Sequence, residues 1–406
     1  MAVKKGYKQT EVGVIPEDWE VKKLGEIAEI ATGSTPPTHD RTNYGDEYFF
    51  VSPIDLGKGK WIKDTKKKLS KKGFSMARQF PRKSILFTCI GSTIGKSGIA
   101  ERVLTSNQQI NAIFPNDTYS SDYLFYILNR FSKKIKSLAG EQAVPLINKS
   151  EFGESLIPIP VLEEQTVIAN VLSDADALIE SLEKLIAKKH AIKQGAMREL
   201  LKPREGWVVK KLGEMGFTYS GLSGKSKSDF YDGVYPYIPF MNIMSNVVID
   251  TSYFDFVNLK PREKQNRVQM GDLFFNGSSE TPEEVGMCSV LIEDISDLYI
   301  NSFCFGFRLY NEFQDYGLFL SYYFRSNFGR QLFFSLAQGA TRYNLSKNNF
   351  LELEIPLPPL EEQTHIASIL SDMDAEITTL EAKLDKYKQI KLGMMQNLLT
   401  GRIRLI

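Results

Sequence analysis

Cysteine and histidine are scarce in this 406-residue chain, at three residues each. Cys89, Cys288 and Cys304 lie far apart. They show none of the paired spacing that holds zinc or staples a small secreted domain, so buried thiols in a reducing compartment are expected. His39, His190 and His365 are as dispersed, which leaves no expected metal centre. No apolar run approaches the length that crosses a bilayer, and the opening MAVKKGYKQTEVGVIPEDWE lacks an apolar core for export. A cytoplasmic protein with no membrane partner is expected. The net charge of +1 gives the whole molecule no leaning towards nucleic acid.

Catalytic signatures are missing too. Gly91-Ser-Thr-Ile-Gly95-Lys96-Ser97 is one residue short of a phosphate-loop spacing. There is no Gly-x-Ser-x-Gly elbow and no Asn/Asp-Pro-Pro-aromatic run of the adenine-methylating type. Glu381-Ala-Lys383 fits the tail of a nuclease motif, but it sits in a helical pattern with no acidic partner upstream. A non-enzyme with no cofactor of its own is expected.

What the chain has is repetition. Ile157 to Leu201 and Ile355 to Leu399 align without a gap, with 25 of 45 positions identical. Each copy opens on prolines (Pro158 and Pro160; Pro356, Pro358 and Pro359), then runs through Leu-Glu-Glu-Gln into a long helical pattern. Apolar residues recur at three and four residues, with Val171, Leu178, Leu185 and Ile192 flanking the main series in the first copy and Ile369, Tyr387 and Ile390 in the second. The expected seam is Ile168, Leu172, Ala175, Ile179, Leu182 and Ile186, with Ile366, Leu370, Met373, Ile377, Leu380 and Leu384. A helix of roughly 38 residues is about 57 Å long, and such a stripe needs a partner. Two unrelated amphipathic helices would satisfy the pattern. Two copies related by a two-fold axis would instead pack antiparallel on each other. Ser173-x-x-Asp176 and Ser371-x-x-Asp374 resemble capping boxes and allow a break. The stripe runs through both, so continuous helices are expected.

A second repeat precedes each helix. Trp19-Glu-Val-Lys-Lys-Leu-Gly-Glu26 recurs as Trp207-Val-Val-Lys-Lys-Leu-Gly-Glu214, so the chain reads unit, helix, unit, helix. Phe49–Leu56 matches Tyr237–Ile243, with Asp55 opposite Asn242, and Arg82–Thr88 matches Gln269–Phe275. Short β-type runs between turn residues predict an α+β unit with a mainly antiparallel or mixed sheet. A helix is expected at 121–137 and at 316–334. Charge is uneven. Lys58, Lys60, Lys63, Lys66, Lys67, Lys68, Lys71, Lys72, Arg78, Arg82 and Lys83 stand against the single acid Asp64. A lysine run is ordinarily a solvated surface, but one so free of acids suits a phosphate-tracking face. The second unit offers fewer cations, Lys225 and Lys227 among them. Short polar groups in loops suit base edges: Ser34, Thr35, Asp55, Ser92, Thr93 and Lys96 in the first unit, and Ser223, Asn242, Asn276, Ser278, Ser279, Thr341, Arg342 and Tyr343 in the second. Ordinary turns are the competing reading of these loops.

Together, the opening Tyr7–Gly13, the two Trp-x-x-x-x-Leu-Gly-Glu segments, the Pro-x-Pro-x-Leu-Glu-Glu-Gln helix starts and the ending Leu398-Leu-Thr-Gly-Arg-Ile-Arg-Leu405 resemble the DNA-specificity subunits of type I restriction–modification systems. The resemblance covers the whole chain. It implies an α+β protein with two target-recognition domains, 1–160 and 205–358, separated by two long helices, 161–204 and 359–406, that form an antiparallel coiled coil. It implies a partner duplex with a bipartite site, two methyltransferase subunits docked on the helices, and motor/nuclease restriction subunits. S-adenosylmethionine, ATP and magnesium would then belong to those partners. Three other readings remain open: the recognition subunit of a two-subunit enzyme with a fused methylase–nuclease partner, a coiled-coil adaptor that binds no DNA, and a methyltransferase in its own right.

Overall fold

The computed structural model describes residues 5–140, 143–336 and 343–406. The chain folds as two compact units: Met1–Glu183 with Ala382–Ile406, and Lys184–Glu381. Four helices organise them: α1 (Ser121–Lys136), α2 (Leu162–Leu200), α3 (Gly317–Arg325) and α4 (Leu360–Leu398). Both long helices are continuous over 39 residues. Their starts are fixed locally. The Gln165 and Gln363 amides donate to the carbonyls of Pro160 and Pro358, at 2.9 and 2.8 Å. Two glutamates sit in each first turn, at the positive end of the helix dipole.

In the first unit, five strands run in the order Ile30–Thr32, Ile110–Ile113, Ile85–Thr88, Ser97–Ala100, Trp61–Ile62. A second sheet runs Tyr44–Gly45, Lys67–Leu69, Tyr48–Val51, Leu104–Ser106, Gln79–Phe80. The second unit repeats both in reduced form. Its first sheet is Gly216–Ser220, Cys304–Leu309, Leu273–Asn276, Cys288–Val290, and its second is Asp255–Val257, Tyr235–Ile238, Tyr299–Ile300. The second sheet of each unit is mixed: Leu104–Ser106 lies parallel to Tyr48–Val51, as Tyr299–Ile300 does to Tyr235–Ile238, while the strands of the second unit's first sheet pair antiparallel. The two repeated motifs meet in each unit. Glu20–Lys23, just after the first tryptophan, pairs antiparallel with Leu156–Ile159, and Val208–Lys211 pairs with Glu354–Leu357. Each domain is thus closed where the chain enters and leaves it.

The long helices pack antiparallel within each unit. In the first, Asp176 pairs with Lys391 and Glu183 with Lys388; in the second, Lys189 pairs with Glu376, Lys193 with Asp374 and Arg204 with Glu362. Numbers rise on α2 as they fall on α4. Ile168, Leu172, Leu182, Ile186, Ile366, Leu370 and Ile377 are buried, while Ala175, Ile179, Met373, Leu380 and Leu384 are half-buried. Their alternating spacing of four and three is the coiled-coil seam. Leu178, Leu185, Ile192 and Ile390 are exposed, so the stripe is narrower than the full apolar pattern. The helix ends also enter the domain cores. Ile168, Leu172 and Leu398 join one cluster with Trp19, and Leu201, Ile366 and Leu370 join another with Leu212.

Where one helix was expected at 316–334, there are two, α3 and Asn327–Leu336, separated at Ser326. Ser326 is extended (ψ 164°), and its hydroxyl accepts from the Gly329 amide. A Cβ on Gly329 would lie 2.3 Å from the Tyr323 carbonyl oxygen, so only glycine permits the second helix to start there.

Candidate nucleic-acid interface

The lysine tract divides by what its ammonium groups meet. Lys58, Lys66, Lys67, Lys71, Arg82 and Lys83 are exposed. Lys63 pairs with Glu180 on α2 (3.0 Å), Lys68 with Asp64 (2.9 Å) and Lys72 with Asp40 (2.7 Å). Lys68 also lies 5.5 Å from the Phe49 ring centroid, a ring that Arg102 covers at 4.9 Å. The Arg78 guanidinium donates to the Thr32 carbonyl (2.8 Å). Lys60 is turned inward, its side chain 8% exposed against Asp122. Nine of the eleven cations are thus exposed, and the internal bonds of Lys63, Lys72 and Arg78 fix the strands and loops that carry the others.

Several polar loop residues shape loops with their side chains. The Asp55 carboxylate accepts from the Ser52 amide (2.9 Å) and hydroxyl (2.7 Å) and from the Lys66 amide (2.9 Å). Its counterpart Asn242 donates to the carbonyls of Asp250 and Tyr253 and accepts from the Asp250 amide. The sequence match between these two positions is therefore a match of roles. Both are buried, and each fixes the loop after the corresponding strand. Ser34 accepts from the Arg78 amide (2.7 Å), and Thr35 donates to Gln108 (2.5 Å). Ser92 and Lys96 are exposed and Thr93 half-buried, in a turn whose Ser92 carbonyl accepts from Lys136 (3.2 Å).

In the second unit, the Lys225 side chain is 4% exposed and bonds to Glu263 (2.6 Å) and the Asn258 carbonyl (2.8 Å), while Lys227 is exposed. The Lys225 ammonium, the Gln265 amide and the Lys260 amide together hold the Glu263 carboxyl down at about 2. Ser223 exchanges two bonds with the Gln265 side chain. Asn276 is buried and closes the following loop by donating to the Glu284 carbonyl (2.9 Å) and accepting from the Met287 amide (2.6 Å). Ser278–Ser279 pairs as a strand with Tyr343–Asn344, and the Ser279 hydroxyl donates to Glu284 (2.9 Å). Tyr343 is thus brought beside the Ser278 loop across a long sequence separation. Thr341 and Arg342 lie outside the described residues.

Two loops start from a close backbone approach. A Cβ at Gly33 would lie 2.2 Å from the Asn107 carbonyl oxygen, and one at Gly221 would lie 2.0 Å from that of Asn301. Glycine is required where the strands Ile30–Thr32 and Gly216–Ser220 give way to their loops.

The sequence reading missed a polar joint in each unit. The Tyr126 hydroxyl on α1 donates to Asp176 on α2 (2.7 Å), and Asp176 pairs with Lys391 on α4, whose ammonium lies 5.7 Å from the Tyr126 ring centroid. In the second unit, Tyr322 on α3 donates to Asp374 on α4 (2.8 Å), and Asp374 pairs with Lys193 on α2, again 5.7 Å from the tyrosine ring. Burial raises both phenols above their ordinary range, so they remain donors. Each joint ties a domain helix to both long helices. The Ser-x-x-Asp elements are parts of these joints and not caps: Ser173 donates to Ala169, one turn back in its own helix (2.6 Å). The signal was present in the repeat, because Asp176/Asp374 and Lys193/Lys391 are identical polar positions in both copies.

Burial pushes the Cys89 thiol up to about 12, as it does Cys304, and it raises Cys288 too. These three are unreactive core residues at neutral pH. Among the described residues, no cluster of histidine, cysteine and carboxylates is arranged to hold a metal ion, and no helix is long and apolar enough to cross a membrane.

The family model for the type I restriction modification DNA specificity domain matches twice, over residues 16–189 and 204–391. The chain is 30% identical over 282 residues to the MjaIX type I restriction enzyme specificity subunit of Methanocaldococcus jannaschii, covering 62% of this chain and 64% of that one. It is 27% identical to the putative MjaX specificity subunit of the same organism, over 98% and 96% of the two chains. In fold it is similar to the crystal structure of a type I restriction–modification S subunit from M. genitalium, with a TM-score of 0.60 at 16% identity over 98% of both chains. A chain from a structure describing complex assembly and conformational transition of the type I system matches with a TM-score of 0.57 at 16% identity, over 96% of this chain and 99% of that one.

Proposed function

Because the chain belongs to the type I restriction–modification DNA specificity family, we propose that each of its units reads one half of a bipartite duplex site, with the helix pair setting the distance between the halves. The chain is a specificity subunit, non-catalytic in itself, whose partners are DNA and the other subunits of a type I complex. Two methyltransferase subunits dock on the helices and motor/nuclease subunits join them. S-adenosylmethionine, ATP and magnesium serve those partners, and the assembly works in the cytoplasm beside the chromosome.

The observation that carries this reading is the duplication itself. Two units share a sheet order, a pair of closing strands and a polar joint to the helices, yet differ in their loops and surface charge. A shared scaffold with divergent loops suits two readers of different half-sites. The exposed lysines supply the sequence-independent part of binding. Each correct base pair then adds about 1–3 kcal/mol, and tethering two readers raises avidity through effective concentration.

The test is a domain exchange. Residues 207–358 are replaced by the second unit of another family member, and methylated bases are mapped in host DNA with and without the exchanged chain. One half of the methylated site should change and the other should persist. A change in both halves would show that the units are not independent readers. Methylation by the purified chain given S-adenosylmethionine alone would sink the non-catalytic assignment.

A further inference from the structure

Lys60 sits in the basic tract, but its ammonium faces inward. It pairs with Asp122 in the first turn of α1 and donates to Ser173 Oγ on α2 at 2.6 Å. It lies 5.1 Å from the Tyr126 ring centroid and 5.6 Å from that of Trp61. Tyr126 is the donor of the first unit's joint, and its hydroxyl is 3.3 Å from the same Ser173 oxygen. One contact network therefore runs from the basic loop through Lys60 to the domain helix, to α2 and, through Asp176 and Lys391, to α4. The loop and α2 also flank a cleft of about 670 Å³ lined by Lys58, Lys66 and Glu180.

The second unit shows what this position can otherwise hold. The Ile99 amide donates to the Lys60 carbonyl, and the Val290 amide donates to the Val247 carbonyl, at equivalent places in the two sheets: Ile99 pairs with Ile85 and Val290 with Leu273, a register one residue on from the sequence match of Arg82–Thr88 with Gln269–Phe275. Trp61 lies beside Ile99 in parallel register, as Val248 lies beside Val290. Val247 thus occupies the place of Lys60. Four residues before each joint tyrosine, Asp122 is matched by Leu318. Val247 and Leu318 both pack against the second unit's apolar core. An ion pair at the first joint is replaced by two apolar side chains at the second.

We propose that Lys60 is a positioning residue: it fixes the basic loop to the spacer helix, so that the neighbouring exposed Lys58 and Lys66 meet the DNA backbone at a set place along the helix. The proposal rests on the DNA-reading function above. An apolar pair packs the same space but supplies no directional bond. A shielded lysine, ion-paired to a partly exposed aspartate and bonded to a hydroxyl, holds one geometry, and fixing a register is the best-attested use of such a pair. The geometry also removes Lys60 from the set of phosphate contacts, because its ammonium is spent on Asp122 and Ser173.

The second unit supplies the test substitution, Lys60→Val with Asp122→Leu, which keeps the site packed. The full chain in its host complex is assayed on duplexes carrying the methylation-mapped site, with the gap between half-sites unchanged or altered by one base pair. The double variant should lose discrimination between gaps by about tenfold, with the log–log salt slope unchanged. Lys60→Arg should retain discrimination. Lys58→Ala, by contrast, should make the slope shallower by up to about 0.9. If the double variant does not fold, Ser173→Ala removes the acceptor on α2 alone and should give the same loss. Unchanged gap discrimination, or a shallower slope for the Lys60 variants, would overturn the proposal. Failure of the unaltered chain to bind DNA would overturn the DNA reading itself, and it shows before any substitution is made.

Discussion

Asp176→Ala probes the joint directly. The substitution removes the acceptor of the Tyr126 hydroxyl, a charge-assisted bond of 2.7 Å and worth about 1.5–3 kcal/mol. It also leaves Lys391 without its carboxylate. The two side chains of that pair are 24% and 28% exposed, so solvent screens it in part. Its loss should fall between the ~0–1 kcal/mol of a surface pair and the ~3–5 kcal/mol of a fully buried one. Together the two contributions give about 2–4 kcal/mol, a large share of the ~5–15 kcal/mol that stabilises a folded domain. For a unit of this size, the melting temperature should fall by roughly 5–15 °C. Asp374→Ala should act alike on the second unit, whose joint has the same members. The assay is thermal and urea unfolding followed by circular dichroism, with Lys391→Ala and the double variant completing a cycle. The coupling between Asp176 and Lys391 should be about 0.5–3 kcal/mol. Asp176→Asn, which keeps an acceptor for Tyr126, should lose less than Asp176→Ala. A loss below about 0.5 kcal/mol for Asp176→Ala would place the triad among ordinary surface contacts and refute the reasoning.

Replacing the exposed Lys66 and Lys67 by alanine should weaken binding to all duplexes alike and flatten the log–log salt slope by up to about 0.9 per lost contact; altered base preference with an unchanged slope would count against a backbone role. Inserting four residues after Leu182 and after Leu380 lengthens each helix by ~6 Å, so the tolerated gap should grow by one or two base pairs while the half-sites stay the same. Inserting two residues instead should turn the seam away from its partner and abolish most binding. Glu263, held at about 2 in the folded chain, lies below its ordinary value of 4.5, so its contribution is present above pH ~4.5 and is lost as pH falls towards 2. Protection of the Ser223 amide from hydrogen exchange should decline over that window in the native chain but not in Glu263→Gln.

The repeat, the long helices and the class of the domains were legible in the sequence because local chemistry fixes them. Pro158 and Pro356, expected to end the extended segments, sit within two-stranded edge pairs, where a missing amide is tolerated, while a four-and-three apolar spacing makes a seam in a helix that carries it. The match of Asp55 with Asn242 was also legible, and the structure shows that both organise a loop from within. Which polar residues meet solvent was not. Eleven basic residues within 26 positions look alike as letters, yet Lys60 is turned inward against Asp122 and Ser173, residues brought to it by α1 and α2 from far along the chain. The two tryptophans of the repeat make the same point. The Trp19 indole donates to Glu164 (3.0 Å), whereas Glu362, the matching glutamate, pairs with Arg204 and the Trp207 indole nitrogen meets no partner among the described residues. Identical repeats specify identical backbones through short-range propensity and burial. The partner of a buried charge is set by whatever the rest of the chain brings within about 3 Å of it, and only the folded structure fixes that.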